Sequence, residues 1–168
     1  MRRYCLLLFL FTAALSVSLY GSAKDKPPVF KSAEIKHFPN AEGVELPPEF
    51  GDFLYAELKT ELQKAKLCEQ VIGEGEVVEA ADAPQSAVIE GTVLEYKKGS
   101  VVKEKLIGFG AGLRSLVAHV TVTRRSNKES LLDKDIKVRV SSTADPKHLA
   151  RFLAKQIANE MKHQLKPE

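Results

Sequence analysis

The sequence predicts an α+β fold: a two-layer, mostly antiparallel sheet with two amphipathic helices on one face, in the order β-α-β-β-β-β-α. Two observations carry this. Two stretches, around 50–65 and 146–165, repeat apolar residues every three or four positions, whereas the stretches between them alternate in the manner of strands. The clearest alternation also leaves one strand face polar, which suits an antiparallel sheet covered on a single side.

In chain order, Val29 to Phe38 is β-branched and aromatic enough for a first strand, anchored by Ile35 and Phe38. Pro47-Pro48 then opens a helix of about 18 residues, because a fixed φ suits the first helical turn and no amide donor is required there. Phe50, Leu54, Leu58, Leu62 and Ala65 form its apolar stripe, with Glu49 and Asp52 at the positive end of its dipole. Val71-Ile72 is a short second strand, and Ala87 to Tyr96 is a third that ends at Lys97-Lys98-Gly99. From Arg114 to Arg125, Leu116, Ala118, Val120 and Val122 share one face, and Ser115, His119, Thr121 and Thr123 share the other. Ser126 to Glu129 turns this strand into a last one, where Ile136, Val138 and Val140 alternate with Lys137, Arg139 and Ser141. Asp145-Pro146 starts the second helix, with an N-cap acceptor and proline at its first position. Its stripe is Leu149, Phe152, Leu153, Ile157, Met161 and Leu165.

Residues 1–23 read as a cleaved signal peptide, residues 24–28 as a flexible leader and residues 29–166 as a single α+β domain. Arg2 and Arg3 precede an apolar run from Tyr4 to Leu19, and Gly21-Ser22-Ala23 supplies small residues for a cut after Ala23. The alternative, a retained anchor, meets a run that is short for a membrane span of ~20 residues and diluted by Thr12, Ser16 and Ser18. Cys5 opens the apolar run, and Lys24 stands where a lipoprotein needs its cysteine, so no lipid anchor is expected. The expected product is exported, periplasmic or extracellular, with no transmembrane span once the signal is cut.

Of the two cysteines only Cys68 would remain, which excludes an internal disulfide and favours a buried thiol beside Glu69. The formal charge is +3, from 25 Lys+Arg against 22 Asp+Glu; without Arg2 and Arg3 it is +1. Such a near-neutral body offers no electrostatic footprint for nucleic acid.

The candidate site residues are Gly108, Phe109, Gly110, Ala111 and Gly112. Three glycines in five residues suit a backbone device, a crossover or bulged hairpin feeding the strand at Arg114. The alternative is an anion cradle, with Lys103, Lys105 and Arg114 as cationic contacts. Neither the Rossmann spacing nor a Gly-Lys-Ser/Thr ending is present to support a nucleotide. On the backbone reading, neutralising the three cations leaves stability nearly unchanged. His37, His119, His148 and His163 show no metal-ligand spacing, and no nucleophile motif occurs. Cofactors, metals and catalysis are therefore not expected.

Ile89-Glu90-Gly91-Thr92-Val93, Tyr96-Lys97-Lys98-Gly99-Ser100, Ile107-Gly108-Phe109-Gly110-Ala111-Gly112 and Leu116-Val117-Ala118-His119-Val120 together resemble a bacterial envelope family, domain of unknown function family 4410. The resemblance implies an envelope location and the element order above, and it implies no activity. The sequence departs from that pattern in lacking a lipobox cysteine and in carrying Arg124-Arg125-Ser126-Asn127-Lys128 at the turn after the alternating strand. The expected role is an uncharacterised, non-catalytic envelope module acting on a protein partner or by self-association; the alternative is a small anionic-ligand-binding domain using the Gly108–Gly112 turn.

Overall fold

A computed structural model describes residues 28–77, 79, 81–107 and 112–165. The stretches expected to be a signal peptide and, but for residue 28, a flexible leader lie outside the described residues. β1 (Phe30–Ile35), α1 (Phe50–Lys64), β2 (Cys68–Gly73), β3 (Ser86–Lys97), α2 (Val101–Ile107), β4 (Arg114–Arg124), β5 (Ser130–Val140) and α3 (Pro146–Gln164) follow one another, with a 3-10 turn at Ala83–Gln85 before β3. The expected order holds, except that it lacked α2.

The five strands form one open sheet in the order β2-β1-β3-β4-β5. β1 pairs in parallel with β2 and with β3, and β4 runs antiparallel to both β3 and β5. The sheet is mostly antiparallel because each antiparallel ladder joins ten residue pairs, against five and four in the parallel ladders. A parallel neighbour cannot be reached by a tight turn, which is why α1 carries the chain from β1 to β2.

Both long helices cover the same face. Phe50, Leu54, Leu58 and Leu62 of α1 are buried, as are Leu149, Leu153, Ile157 and Met161 of α3. Beneath them Leu116, Ala118, Val120 and Val122 are wholly enclosed, joined by Ile89, Ile136 and Val138. Each fully buried aliphatic side chain contributes on the order of 1.5–3 kcal/mol before entropy is subtracted. Asp145 caps α3 as expected, its carboxylate accepting the Lys147 amide at 2.7 Å.

Three details correct the sequence reading. Phe152 is 47% exposed and lies outside the buried stripe; Ala150, Ala154 and Ala158 take its place on the inner surface. These alanines follow the helical repeat, and small side chains let α3 approach its neighbours closely. β1 ends at Ile35, although the chain keeps following β3: the Lys36 amide donates to Ile89, and Val93 donates to Pro39. β5 begins at Ser130, directly after the expected turn, and Leu132 is its first buried apolar residue. α1 has 15 residues and Glu49 at its N-cap makes no side-chain bond; the Phe50 amide instead donates to the Pro47 carbonyl at 3.0 Å.

Candidate functional site

The glycine-rich connection between β3 and β4 was the strongest sequence candidate. Gly108, Phe109, Gly110 and Ala111 lie outside the described residues. Gly112 is described, and its φ is +85°, a conformation that L side chains rarely adopt. A Cβ there would run into the Ser100 carbonyl and stand 2.6 Å from the Glu104 amide. Gly112 in turn accepts the Ser100 amide at 2.6 Å. This contact closes the neck from which α2 projects.

Arg114 and Glu104 tie that neck to the turn between β5 and α3. The Arg114 guanidinium donates to the carbonyls of Ala144 (2.6 Å), Ser142 (3.3 Å) and Lys98 (3.3 Å). A guanidinium has donors only, in a fixed fork, so these three acceptors occupy much of what it could offer an anion. Glu104 accepts from both the amide and the hydroxyl of Ser142, and those two bonds hold its carboxyl below the usual carboxylate range. Lys103 and Lys105 are exposed on α2, and among the described residues their ammonium groups have no such bonding set. The structure therefore separates the three expected cations: Arg114 is a clip on backbone carbonyls, and the two lysines are surface charges.

α2 also presents apolar side chains to solvent. Val101 is 41% exposed, Val102 65% and Leu106 80%. Three such residues on a seven-residue helix form a patch, in contrast to the scattered single exposures found on any surface. Lys98, Lys103 and Lys105, close by in sequence, are also exposed, and Glu104, the acid of the helix, is turned toward Ser142. A second exposed apolar residue, Val77 at 94%, follows β2 amid Glu74, Glu76 and Glu79. Neither the patch nor Val77 was singled out from sequence. The signal for the first was present in Val101-Val102 and Leu106, but seven residues are too few for periodicity to declare a helix face.

The uncovered sheet face is polar. Ser32 and Ser86 share a hydrogen bond at 2.7 Å, Lys36 pairs with Glu90 at 2.9 Å, and the buried Glu34 is held by Arg125 and by the Gly75 amide. His119, expected to be merely solvated, has Nδ1 2.8 Å from Asp135 and Nε2 3.3 Å from Asp133. The β4–β5 register puts Asp135 directly opposite it. A shallow groove of about 560 Å³ runs past Lys36, His37, Glu74, Glu90 and His119. Among the described residues, no three or more His, Cys, Asp or Glu side chains are placed to hold a metal ion.

Cys68 is buried at the start of β2, and desolvation pushes its thiol up to about 11. Among the described residues no helix is long and apolar enough to cross a membrane.

With this geometry in place, the chain can be compared with known proteins. A family model described as a domain of unknown function (DUF4410) matches residues 39–133, more than half of the chain. The chain belongs to this family. The DUF4410 match runs from just after β1 into β5 and so takes in α1, α2 and the whole glycine-rich connection. No curated protein matches the chain. Among solved structures, a PelC variant dodecamer from Paraburkholderia phytofirmans is similar at 12% identity and a TM-score of 0.57, covering 81% of this chain and 89% of that one. A second PelC dodecamer from the same organism is 14% identical with a TM-score of 0.54, over 78% and 88% of the two chains. A Xanthomonas campestris protein of the family DUF330 gives 10% identity and 0.53, over 82% and 88%. At such identities the likeness to PelC and DUF330 is one of fold.

Proposed function

We propose that this DUF4410 protein is an exported, non-catalytic module of the bacterial envelope that works by associating with further copies of itself. The observation that carries the reading is the solvent-facing apolar set on α2, where Val102 and Leu106 are 65% and 80% exposed on a helix that packs on neither of the long helices. Contiguous exposed apolar side chains mark interaction sites, because water is displaced from them at a gain in free energy. The PelC structures of the same fold are dodecamers, and we extend that habit of assembly to this chain. Export rests on Arg2, Arg3, the apolar run behind them and the small residues before Lys24.

Sedimentation velocity on the protein recovered from the cell envelope tests the association. Species larger than a monomer at micromolar concentration are expected; a monomer at every concentration reached overturns the reading. Intact mass on the same sample tests export, and the expected species lacks Met1–Ala23 and carries no lipid.

A further inference from the structure

We infer that two copies of this chain pair edge to edge along β5, antiparallel about a two-fold axis at Ile136, so that their sheets run on as one. This contact is separate from the α2 patch described above and does not rest on it.

β5 ends the strand order, bonded to β4 on one side only, and it spans 11 residues. Edge strands are ordinarily kept short, because their row of unpaired N–H and C=O groups is a template for a further strand. β2, at the opposite edge, spans six residues. Asp133, Asp135, Lys137 and Arg139 stand exposed on the uncovered face of β5.

The signs of these four are sorted, acids first and bases last. Charges scattered along an edge repel an approaching strand in most registers. Sorted charges instead select one register. An axis normal to the sheet keeps every side chain on its own face, so odd positions meet odd and even meet even. Placed at Ile136, it sets Asp133 opposite Arg139 and Asp135 opposite Lys137 of the second copy, and each pair occurs twice. Placed at 135 or 137, it sets Asp135 on Asp135 or Lys137 on Lys137. Placed at 134 or 138, it sets Asp133 against Asp135, or Lys137 against Arg139. Opposite charges directly across two strands are stabilising and like charges are not, so the Ile136 axis is preferred.

The four side chains are available to a second copy. Val117 and Ser115 of β4 stand opposite Lys137 and Arg139, and among the described residues neither cation is in an ion pair. Asp133 and Asp135 each reach one nitrogen of His119, yet their side chains stay 63% and 62% exposed. On the covered face, Phe152, Gln156 and Glu160 recur at four-residue intervals, and Glu160 reaches Lys134 of β5. The half-exposed Phe152 ring therefore lies on the β5 flank of α3, where a joined sheet brings the second copy's α3 beside it. Such a contact is isologous and closes at two copies.

Sedimentation velocity on the full chain tests the axis. Wild type is expected to form dimers or larger species at micromolar concentration, and Leu106→Glu, which alters only the α2 patch, to retain the dimer. Asp133→Lys with Asp135→Lys, and Lys137→Asp with Arg139→Asp, each set like charges across the axis. Each double variant is expected to dimerise at least about tenfold more weakly. Mixed in equal amounts, the two are expected to pair with each other. The chain with all four substitutions is expected to pair with itself, because every opposition of charge is then restored. Hydrogen exchange supplies a readout that needs no variant: β5 amides are expected to be better protected at dimerising concentration than after dilution. If the four-substitution chain folds but stays dissociated, or the double variants dimerise as wild type does, β5 is not the joint and the inference is overturned. Loss of all assembly in Leu106→Glu also overturns it and leaves association to α2. A monomeric wild type overturns both readings. Protection of β5 that requires a different envelope protein gives the edge to that protein and overturns the pairing of copies.

Discussion

Gly99 and Gly112 face each other across the neck of the β3–β4 connection, both at positive φ (78° and 85°), and so close that a Cβ on Gly99 would lie 2.7 Å from the Gly112 carbonyl oxygen. Backbone meets backbone here, and no side chain can give way. Gly112→Ala is expected to destabilise the fold by about 1–3 kcal/mol, the scale of strain at such positions. Gly51 is the contrasting case, lying in α1 with nothing within 4 Å of a Cβ. Gly51→Ala is expected to stabilise by about 0.5–1 kcal/mol through helix propensity. Urea unfolding of the two variants checks both signs at once.

The cations near the neck separate in the same assay. Arg114→Met removes donors from three carbonyls and is expected to cost about 1–2 kcal/mol, since bonds from a charged donor exceed the neutral average. Lys103→Gln and Lys105→Gln are expected to change stability by no more than about 0.5 kcal/mol, as exposed surface substitutions do. Equal losses at all three positions would contradict the clip.

The Glu104–Ser142 tie carries a pH signature. The folded carboxyl lies below its ordinary value, so its contribution is present above the unfolded carboxylate pKa of about 4.3 and is lost as pH falls through the folded value. The melting temperature of Glu104→Gln is expected to lie below wild type at pH 7. The gap should close in acid, below about pH 4. A gap that persists unchanged at pH 3 rules out the ionised tie.

Cys68 titrates in the opposite sense. With the buried thiol at about 11, its contribution to stability holds below the unfolded thiol pKa of about 8.5 and is lost as pH rises toward the folded value. At pH 8 iodoacetamide is expected to label the native protein roughly a hundredfold more slowly than the urea-unfolded chain. Labelling at similar rates would place the thiol on the surface.

Sequence patterning located β4, β5 and α3 because each is long and one-sided: Leu116 to Val122 and Leu149 to Met161 repeat with the strand and helix periods and are buried accordingly. It passed over α2 because Val101-Val102 is β-branched and the helix spans under two full turns, below the length at which a period can be told from chance. It assigned Arg114 to a free cation set because a side chain's acceptors, here Ser142 and Ala144, come from a turn 28 and 30 residues away. Phe152 was misplaced for a related reason. It sits one position from Leu153, and only the packing of α3 on the sheet decides which of two adjacent apolar residues turns inward. The exposed Val77 gave no signal of its own, since two valines between glutamates match neither period.

β1 has consequences for the order in which the molecule is built. Both of its neighbours come from far along the chain, with Phe30 opposite Cys68 and Ser32 opposite Ser86, whereas Thr123 and Ser130 meet across a short hairpin. Closing long loops costs more entropy than closing short ones, so the β3-β4-β5 meander leads and β1 slots between β2 and β3 at the end. Contacts made after the rate-limiting barrier govern how fast a protein comes apart. Stopped-flow measurements should find that Ala33→Gly in β1 accelerates unfolding and leaves refolding nearly unchanged, while Val120→Ala in β4 slows refolding. Of the described strands, the earliest to be synthesised is then the last to find its place, and the chain stays open along that seam until all but its final step is complete.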